Sequence, residues 1–480
     1  MGNDYAELDG KIEDLKIFAY DAYIDKKLRE SNLASDFHRI KEHNIYIIGT
    51  ESTRNVPDGT DRTESGTLEI ARPTKVGGKA SGGGRIMKAT GSGHRFSALM
   101  KVDYEAWFSQ VCDRVERAIK SWRDLPDPET ISQLFSIDFN NISTMLAVPD
   151  QSVGAVSGGA SGKSDIKAAF DMVPTGSPTM AGKTWDAFRE KFYTKLPSAI
   201  NATNALAHYL ASTIQAESKM FEQARKNVID LVVNAASAFD SVAHDRGKSV
   251  NWKLLLKIGV VAAEAATAVV SGGATAGVAG ASFVVGGLKS MSEVAAVDSE
   301  KTGTDYDSVM RSFESSLTSI GDQVRDSEEA IKKSLVDNAV AALKNPGHYD
   351  LTLVPITHGP SDELAIKDRD NVNTVINTQM PQISTGLSDA AHDINELGVK
   401  FGPVVGRNDE IGIGRLGPSE QFVSLAKIIA DYLGELSIEA AMGGKNLEAA
   451  VNDIDAHDES SQKKLKQIQN DIEKHTADAD

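Results

Sequence analysis

The 480-residue chain has a single cysteine, Cys112, which excludes an intramolecular disulfide framework and any cysteine-rich zinc site. It is short of positive charge: 51 Lys and Arg face 68 Asp and Glu. The resulting formal charge of −17 repels a nucleic-acid backbone or an anionic bilayer as a resting partner. The opening residues, Met1 to Glu7, offer neither a basic n-region nor an apolar h-region, so export by the general secretory route is not expected. Ala6 stands where a myristoylation motif wants Ser or Thr.

Catalytic signatures are missing too. There is no His-Glu-x-x-His and no Gly-x-Ser-x-Gly elbow. His38 and His43 lie five apart at a helix end, His348 and His358 fall in loops, and Cys112, followed by Asp113 and Arg114, has no histidine near it in sequence. The one tempting motif is Ser157 to Ser164, whose Lys163-Ser164 ending suits a phosphate-binding loop. Its leading glycine is replaced by Ser157, and only Val153 to Val156 precedes it as a strand. A flexible linker is the preferred reading, and nucleotide binding is kept as an alternative. No catalytic residue, cofactor or metal is assigned.

What the chain does have is apolar content of 41%, enough for sizeable cores and two to four domains. Its most distinctive stretch is Ala265 to Leu288, glycine- and alanine-rich and without charge. Glycines inside a helix each cost about 1 kcal/mol relative to alanine in water. A hairpin turning at Ser271-Gly272-Gly273 is therefore expected, with arms Trp252 to Val270 and Ala274 to Leu288. Small residues such as Gly277 and Gly280 would let the arms approach closely. Lys257 and Glu264 interrupt the first arm and oppose lipid burial. A buried hairpin in a bundle is preferred over insertion, with conditional membrane contact through Gly272, Gly273, Gly277 and Gly280 as the alternative.

Periodicity supplies the rest. Residues 9 to 41 read as helical, Asn44 to Gly49 and Thr67 to Ala71 as short strands, and Lys75 to Gly93 as a glycine-rich loop. Arg95 to Trp122 returns to helical spacing. Residues 1–150 thus form a small mixed α+β region, and 151–182 a flexible linker. A central helical bundle is expected over 183–345, with the glycine-rich hairpin at 252–288. Phe221, Ala224, Val228, Leu231, Ala235 and Phe239 keep 3–4 spacing, as do Tyr306, Met310, Phe313, Leu317, Ile320, Val324 and Ile331. Residues 346–383 are read as an irregular connection, with a strand at Tyr349 to Ile356. A C-terminal helical hairpin follows over 384–480: Phe422, Leu425, Ile429, Tyr432 and Leu436 mark one arm. Leu447, Val451, Ile454, Asp458, Ser461, Leu465, Ile468 and Ile472 mark the other, with Gly443-Gly444 as the turn. The fold class is mainly α, with long helical-hairpin bundles and a small α+β N-terminal region.

Two stretches resemble the WXG-type proteins of ESX (type VII) secretion in actinobacteria. Met180-Ala181-Gly182 stands where the family has Trp-x-Gly, with Phe188 at its downstream aromatic position. Trp185 to Arg189 and Leu196-Pro197 look like the larger relatives. Leu416-Gly417-Pro418-Ser419 opening a helix, then Gly443-Gly444, then Leu447 to Asp458, is similar to small secreted members. Asp458 keeps the acidic residue of their Tyr-x-x-x-Asp/Glu signal, while Ile454 stands in place of the tyrosine; Tyr5 to Asp9 fits that pattern at the N-terminus. The resemblance implies a non-catalytic substrate or accessory protein, cytoplasmic before export and secreted without a classical signal peptide. It would act through a protein partner or self-association along helical seams, with no nucleic acid. Phe188, Phe221, Phe422, Tyr432, Leu447 and Ile454 are the expected packing residues, with Met180 and Gly182 shaping a turn. A membrane-inserting effector using 265–288 is the alternative.

Overall fold

The computed structural model describes residues 4–55, 61–146, 148, 165–172, 180–244, 250–256, 297–303, 305–351 and 365–477. It is mainly α-helical, with a small α+β region at the N-terminal end. That region opens with α1 (Leu8–Ser31), which stops at Asn32, held left-handed at φ 50°. Residues 36–40, expected as helix, instead form edge strand β1 (Asp36–Ile40). It pairs with β2 (Ile45–Asn55), which pairs with β3 (Asp61–Ala71), and β3 with β6 (Ile86–Gly91), all antiparallel. Tyr46 and Ile48 alternate with Leu68 and Ile70 to bury one face of the sheet, in one core with Ile12, Leu15 and Tyr20 of α1.

The expected loop over Lys75 to Gly93 is a second correction. Thr74–Val76 (β4) and Lys79–Ser81 (β5) make a hairpin whose turn residues, Gly77 and Gly78, both have positive φ, and β6 then joins the main sheet. Two glycines between short extended runs are themselves a hairpin signal, since a two-residue turn with positive φ at both positions matches the twist of the strands. After α2 (His94–Leu99), α3 (Tyr104–Ile119) is capped by Asp103, whose carboxylate accepts from the Ala106 amide. Asp127 likewise caps α4 (Pro128–Gln133), which continues through a wide π turn, Leu134–Phe139, into α5 (Asn140–Met145).

Part of the expected linker is structured: α6 (Asp165–Met172) packs Ile166 against the helix that carries Gly386, where the missing side chain leaves room for it. Met180–Ala181 form β7, paired with β10 (Ala365–Ile366). The chain then runs helically from α7 (Lys183–Arg189) through a π turn, Glu190–Lys195, into α8 (Leu196–His244). α8 is the central post, touching α1, α4 and the two long helices that follow. The first of these is α9 (Tyr306–Lys344), opened by a capping box between Asp305 and Ser308. Its expected seam, Tyr306 to Ile331, is buried throughout.

The arms of the expected glycine hairpin begin differently. Val250–Leu256 is a strand, β8, paired with Val297–Gly303, β9, so Trp252 to Leu256 are not helical. Residues 257–296, including Gly272, Gly273, Gly277 and Gly280, lie outside the described residues, as does the 157–164 loop. Tyr349 to Leu351 are not a strand but follow a 3-10 turn, Pro346–His348, and 352–356 lie outside the described residues. The expected irregular connection becomes helical at α10 (Arg369–Thr374), which passes through a π turn, Val375–Gln379, into α11 (Met380–Val404).

The last helix, α12 (Ser419–Ala477), overturns the expected turn at Gly443-Gly444. Both glycines lie inside 59 uninterrupted helical residues, about 88 Å of helix at 1.5 Å per residue. The C-terminal hairpin is formed by α11 and α12, turning at 405–418. The glycines serve packing: a Cβ on Gly443 would lie 2.3 Å from the Phe192 ring, and one on Gly444 3.1 Å from Met380 Cβ. Gly434 of the same helix has nothing within 4 Å of its would-be Cβ. Gly434→Ala is therefore expected to stabilise the protein by about 0.5–1 kcal/mol through helix propensity. Gly443→Ala should destabilise it, because displacing a buried ring costs about 1–3 kcal/mol. Urea unfolding of the two variants checks this: a rise in both midpoints would show that Phe192 yields freely.

Candidate functional site

The turn between α11 and α12 encloses the most unusual chemistry of the described residues. Arg407 and Glu328, of α9, are both fully buried at their side chains and joined by a charge-assisted hydrogen bond. Arg407 also donates from Nε to the Ile411 carbonyl (3.1 Å) and from Nη1 to the Val405 carbonyl (3.0 Å), so one guanidinium ties the turn to itself and to α9. The second oxygen of Glu328 accepts from the Ile413 amide at 2.8 Å. Gly412, at φ 69°, permits this approach, since a Cβ there would fall 2.0 Å from Glu328 Oε2. Phe221 of α8 lies beneath, its ring centre 5.2 Å from the guanidinium carbon.

Glu217, one turn before Phe221 on α8, completes the group. It is fully buried, and neither carboxyl oxygen has a hydrogen-bond partner among the described residues. Burial raises its pKa well above the ordinary carboxylate value; Glu328 raises it further, and Arg407 opposes them. Burial also pushes Glu328 up, to about 7, against the pull of Arg407 and the Ile413 amide. With one cation for two carboxyls, Glu217 is the member that keeps its proton.

That assignment gives a signed pH dependence. Unfolded, Glu217 ionises near 4.5; folded, it stays protonated far above that. Between the two values the folded state binds the extra proton, so stability is greatest below the unfolded value and falls as pH rises, by about 1.4 kcal/mol per pH unit. Glu217→Gln copies the protonated shape without the titration. The variant should match the parent near pH 4.5 and exceed it increasingly toward pH 8 in thermal unfolding. Parallel pH profiles would refute the protonated assignment.

A second buried cluster fastens the N-terminal region. Asp21, of α1, is fully buried and accepts from Arg39 of β1 (2.5 Å), from Arg72 just after β3 (2.9 and 2.8 Å) and from the Tyr46 hydroxyl of β2 (2.6 Å). Arg39 reaches on to Asp240 of α8 at 2.8 Å. Burial, then the Asp21 charge, raises Tyr46 well above its usual pKa, so it remains a donor. Neither cluster stood out in the sequence, where acidic residues are too common for any pair to be informative.

Clefts open between the helices of the described residues. One of about 320 Å³ lies between α3, α9 and the 408–411 turn and is lined by Arg117, Trp122, Glu314, Arg325 and Glu410. Another, about 630 Å³ between α4 and α8, contains Arg225, already committed to Asp127, to the Leu125 carbonyl and to the face of Tyr5. Among the described residues no group of three or more His, Cys, Asp or Glu side chains is placed to hold a metal. His38 pairs with exposed Asp36 on β1, and His348 packs edge-on against Tyr349. Burial pushes the Cys112 thiol up to about 11, which favours the unreactive protonated form.

The expected packing residues are mostly consumed inside the chain. Phe188 stacks on Trp185 (5.4 Å) and against Phe192 (4.8 Å). Phe422 stacks on Phe401 at 4.0 Å across the α11–α12 hairpin. Tyr432 stacks on Tyr349 and donates to the Ala342 carbonyl (3.1 Å), and Leu447 is buried. Gly182, at φ 114°, precedes α7, but Met180 beside it lies in a strand rather than in a helix–helix turn.

Ile454 marks a limit. It is half-buried against the core, Asp455 bridges to Arg369 at 2.6 Å, and beyond them α12 leaves the body of the protein. From 456 to 469 every residue whose surroundings are described is exposed, with Leu465 at 65% and Ile468 at 55%. Asp458 falls in this projecting stretch. Comparison with models of known families, with curated proteins and with solved structures finds no match to this chain.

Proposed function

We propose that the chain is a non-catalytic protein that works by helix–helix association, as a substrate or accessory protein of a type VII-like secretion system. The observation that carries the association reading is the free end of α12: a helix projecting past its last packed residue, with an apolar seam in solvent. Exposed apolar residues at 3–4 spacing on a helix mark a surface that gains by being covered. The partner is protein, since an acidic surface repels nucleic acid.

The narrower assignment to type VII secretion rests on the sequence around Gly182 and on Leu416 to Ser419. There Gly417, at φ 52°, and Pro418 lead directly into α12. It is tested by fractionating the native host into cytosol, membrane and medium, with and without its type VII ATPase. Protein in the medium that disappears with the ATPase supports the assignment. Protein confined to the cytosol in both strains overturns it.

A second reading, a membrane-acting effector using 265–288, is favoured by one feature. The β8–β9 ladder pairs Leu256 with Val297, so both ends of the segment that includes it emerge together, as a hairpin entering from one side requires. Dye release from anionic and neutral liposomes, at neutral and acidic pH, decides it: no release under any condition removes this reading.

A further inference from the structure

We propose that the open edge of β6 takes up an extended segment of an acidic protein partner, added antiparallel to the sheet, with carboxylates on one face of the segment and apolar side chains on the other. The proposal stands apart from the helix-association reading and involves no residue of α12.

Charge points to the partner. Between Glu69 and Asp103 the chain has no Asp or Glu, yet that stretch carries seven Lys and Arg in a protein of formal charge −17. Two of the seven are spent inside the protein, Arg72 on Asp21 and Lys75 on Asp14. Arg85, at the entrance to β6, and Arg95, on α2 just beyond it, form no ion pair among the described residues: Arg85 reaches the Met87 sulfur and Arg95 the Glu51 carbonyl. Lys88 faces Glu69 of β3 at 3.7 Å with its side chain 67% exposed.

The edge beside these charges is unpaired. In the order β1-β2-β3-β6 the outer strands are β1 and β6. β1 is tied to α8, since Arg39 and Lys41 both reach Asp240, whereas every residue of β6 is exposed. The Ser92 amide donates to the Ser65 carbonyl, so in the alternating antiparallel ladder Lys88 and Thr90 turn their peptide groups toward β3. Ala89 and Gly91 turn theirs outward and offer two N–H and two C=O groups to a neighbour.

Side-chain alternation sets what that neighbour must carry. Ala89 stands opposite Leu68 and Ile86 opposite Ile70, both buried on the core face, so Lys88 and Thr90 stand on the solvent face. Ile86 is 37% exposed at this edge. A strand laid antiparallel along β6 places its residue opposite Ala89 in a hydrogen-bonded pair on the core face, where an apolar side chain extends the cover over Ile86. Its residue opposite Lys88 lies on the solvent face, where a carboxylate gains a cross-strand pair. A lysine on an open edge guards against pairing with the same edge of another copy, which would bring two sets of Arg85 and Lys88 together. That guard repels a like-charged strand and attracts an acidic one.

The test is fluorescence anisotropy of a labelled peptide of alternating Glu and Val, titrated with the full-length protein to about 200 μM at low salt. Saturable binding is expected, with none for the counterpart of alternating Lys and Val. N-methylation of the Val amides, which would face β6, should weaken binding about tenfold, while N-methylation of the Glu amides should change it less than about twofold. Arg85→Gln with Lys88→Gln should weaken binding about tenfold and keep the parent's melting temperature, since both side chains are exposed. No binding over this range overturns the proposal, as does binding indifferent to Arg85→Gln with Lys88→Gln. Equal losses on methylating either set of amides overturn strand addition and leave a purely electrostatic contact. Oligothymidylate or anionic vesicles bound more tightly than the peptide, and weakened by the same two substitutions, overturn the choice of a protein partner. A doubled mass without peptide, lost in the same variant, overturns it in favour of a second copy.

Discussion

Arg407→Ala should cost about 3–5 kcal/mol of stability, the scale expected when one partner of a buried ion pair is removed. Three losses coincide. Among the described residues the Glu328 carboxylate keeps only the Ile413 amide, the Val405 carbonyl loses the guanidinium as a donor, and so does the Ile411 carbonyl. The damage should fall on the 405–418 turn and on the α11–α12 hairpin, so hydrogen exchange there should speed up more than in the sheet. Much of the cost is the stranded charge rather than the lost contact, and this gives an internal check. Arg407→Met combined with Glu328→Gln removes both charges and should recover a large part of the loss. If the double variant is no more stable than Arg407→Ala in urea unfolding, this account of the cluster fails.

Asp21→Ala should be of similar size and fall at the other end of the protein. Asp21 is the shared acceptor for two buried guanidiniums and one buried hydroxyl, drawn from three separate segments. Arg39 retains Asp240, but among the described residues Arg72 is left with the Phe18 ring and no carboxylate in contact. A loss of about 3–5 kcal/mol follows, with the docking of the sheet on α1 as the weakened feature. Asp36→Asn, at the exposed pair with His38, is the matched control and should leave the denaturation midpoint unchanged, since exposed pairs contribute little. Equal effects from the two substitutions would show that burial is not what gives Asp21 its weight. The sites lie in different clusters, so the Arg407 and Asp21 losses should add.

Much of the helical architecture was legible because helical periodicity is a local property. The seam from Tyr306 to Ile331 and the stripe from Phe221 to Phe239 could be placed from spacing alone, and each is buried as the spacing implies. The strands at Asn44 to Gly49 and Thr67 to Ala71 were legible for the same reason, as short apolar runs bounded by turn residues. The two departures from the sequence reading differ in cause. Glycine permits a turn, so Gly443-Gly444 reads locally as one, whereas the ring that occupies the missing side-chain volume of Gly443 belongs to Phe192, more than two hundred residues earlier. Residues 36–40 continue the helical spacing of α1, yet they pair with the very next strand, Ile40 with Ile45 across Lys41 to Asn44, once Asn32 has ended the helix.

The candidate site divides in the same way. The heptad of the last helix was visible in sequence through Ile472, but the point at which its seam stops being covered is set by where the packing around it ends, near Ile454. Composition and spacing alone determined that this is an acidic chain of long helices with a single thiol and no disulfide framework of its own. Which carboxyl keeps a proton, which arginine closes the last hairpin and which face of α12 stays in solvent were decided only by the tertiary structure. Burial and pairing depend on groups far apart in the chain, and no window of sequence contains both members of such a pair.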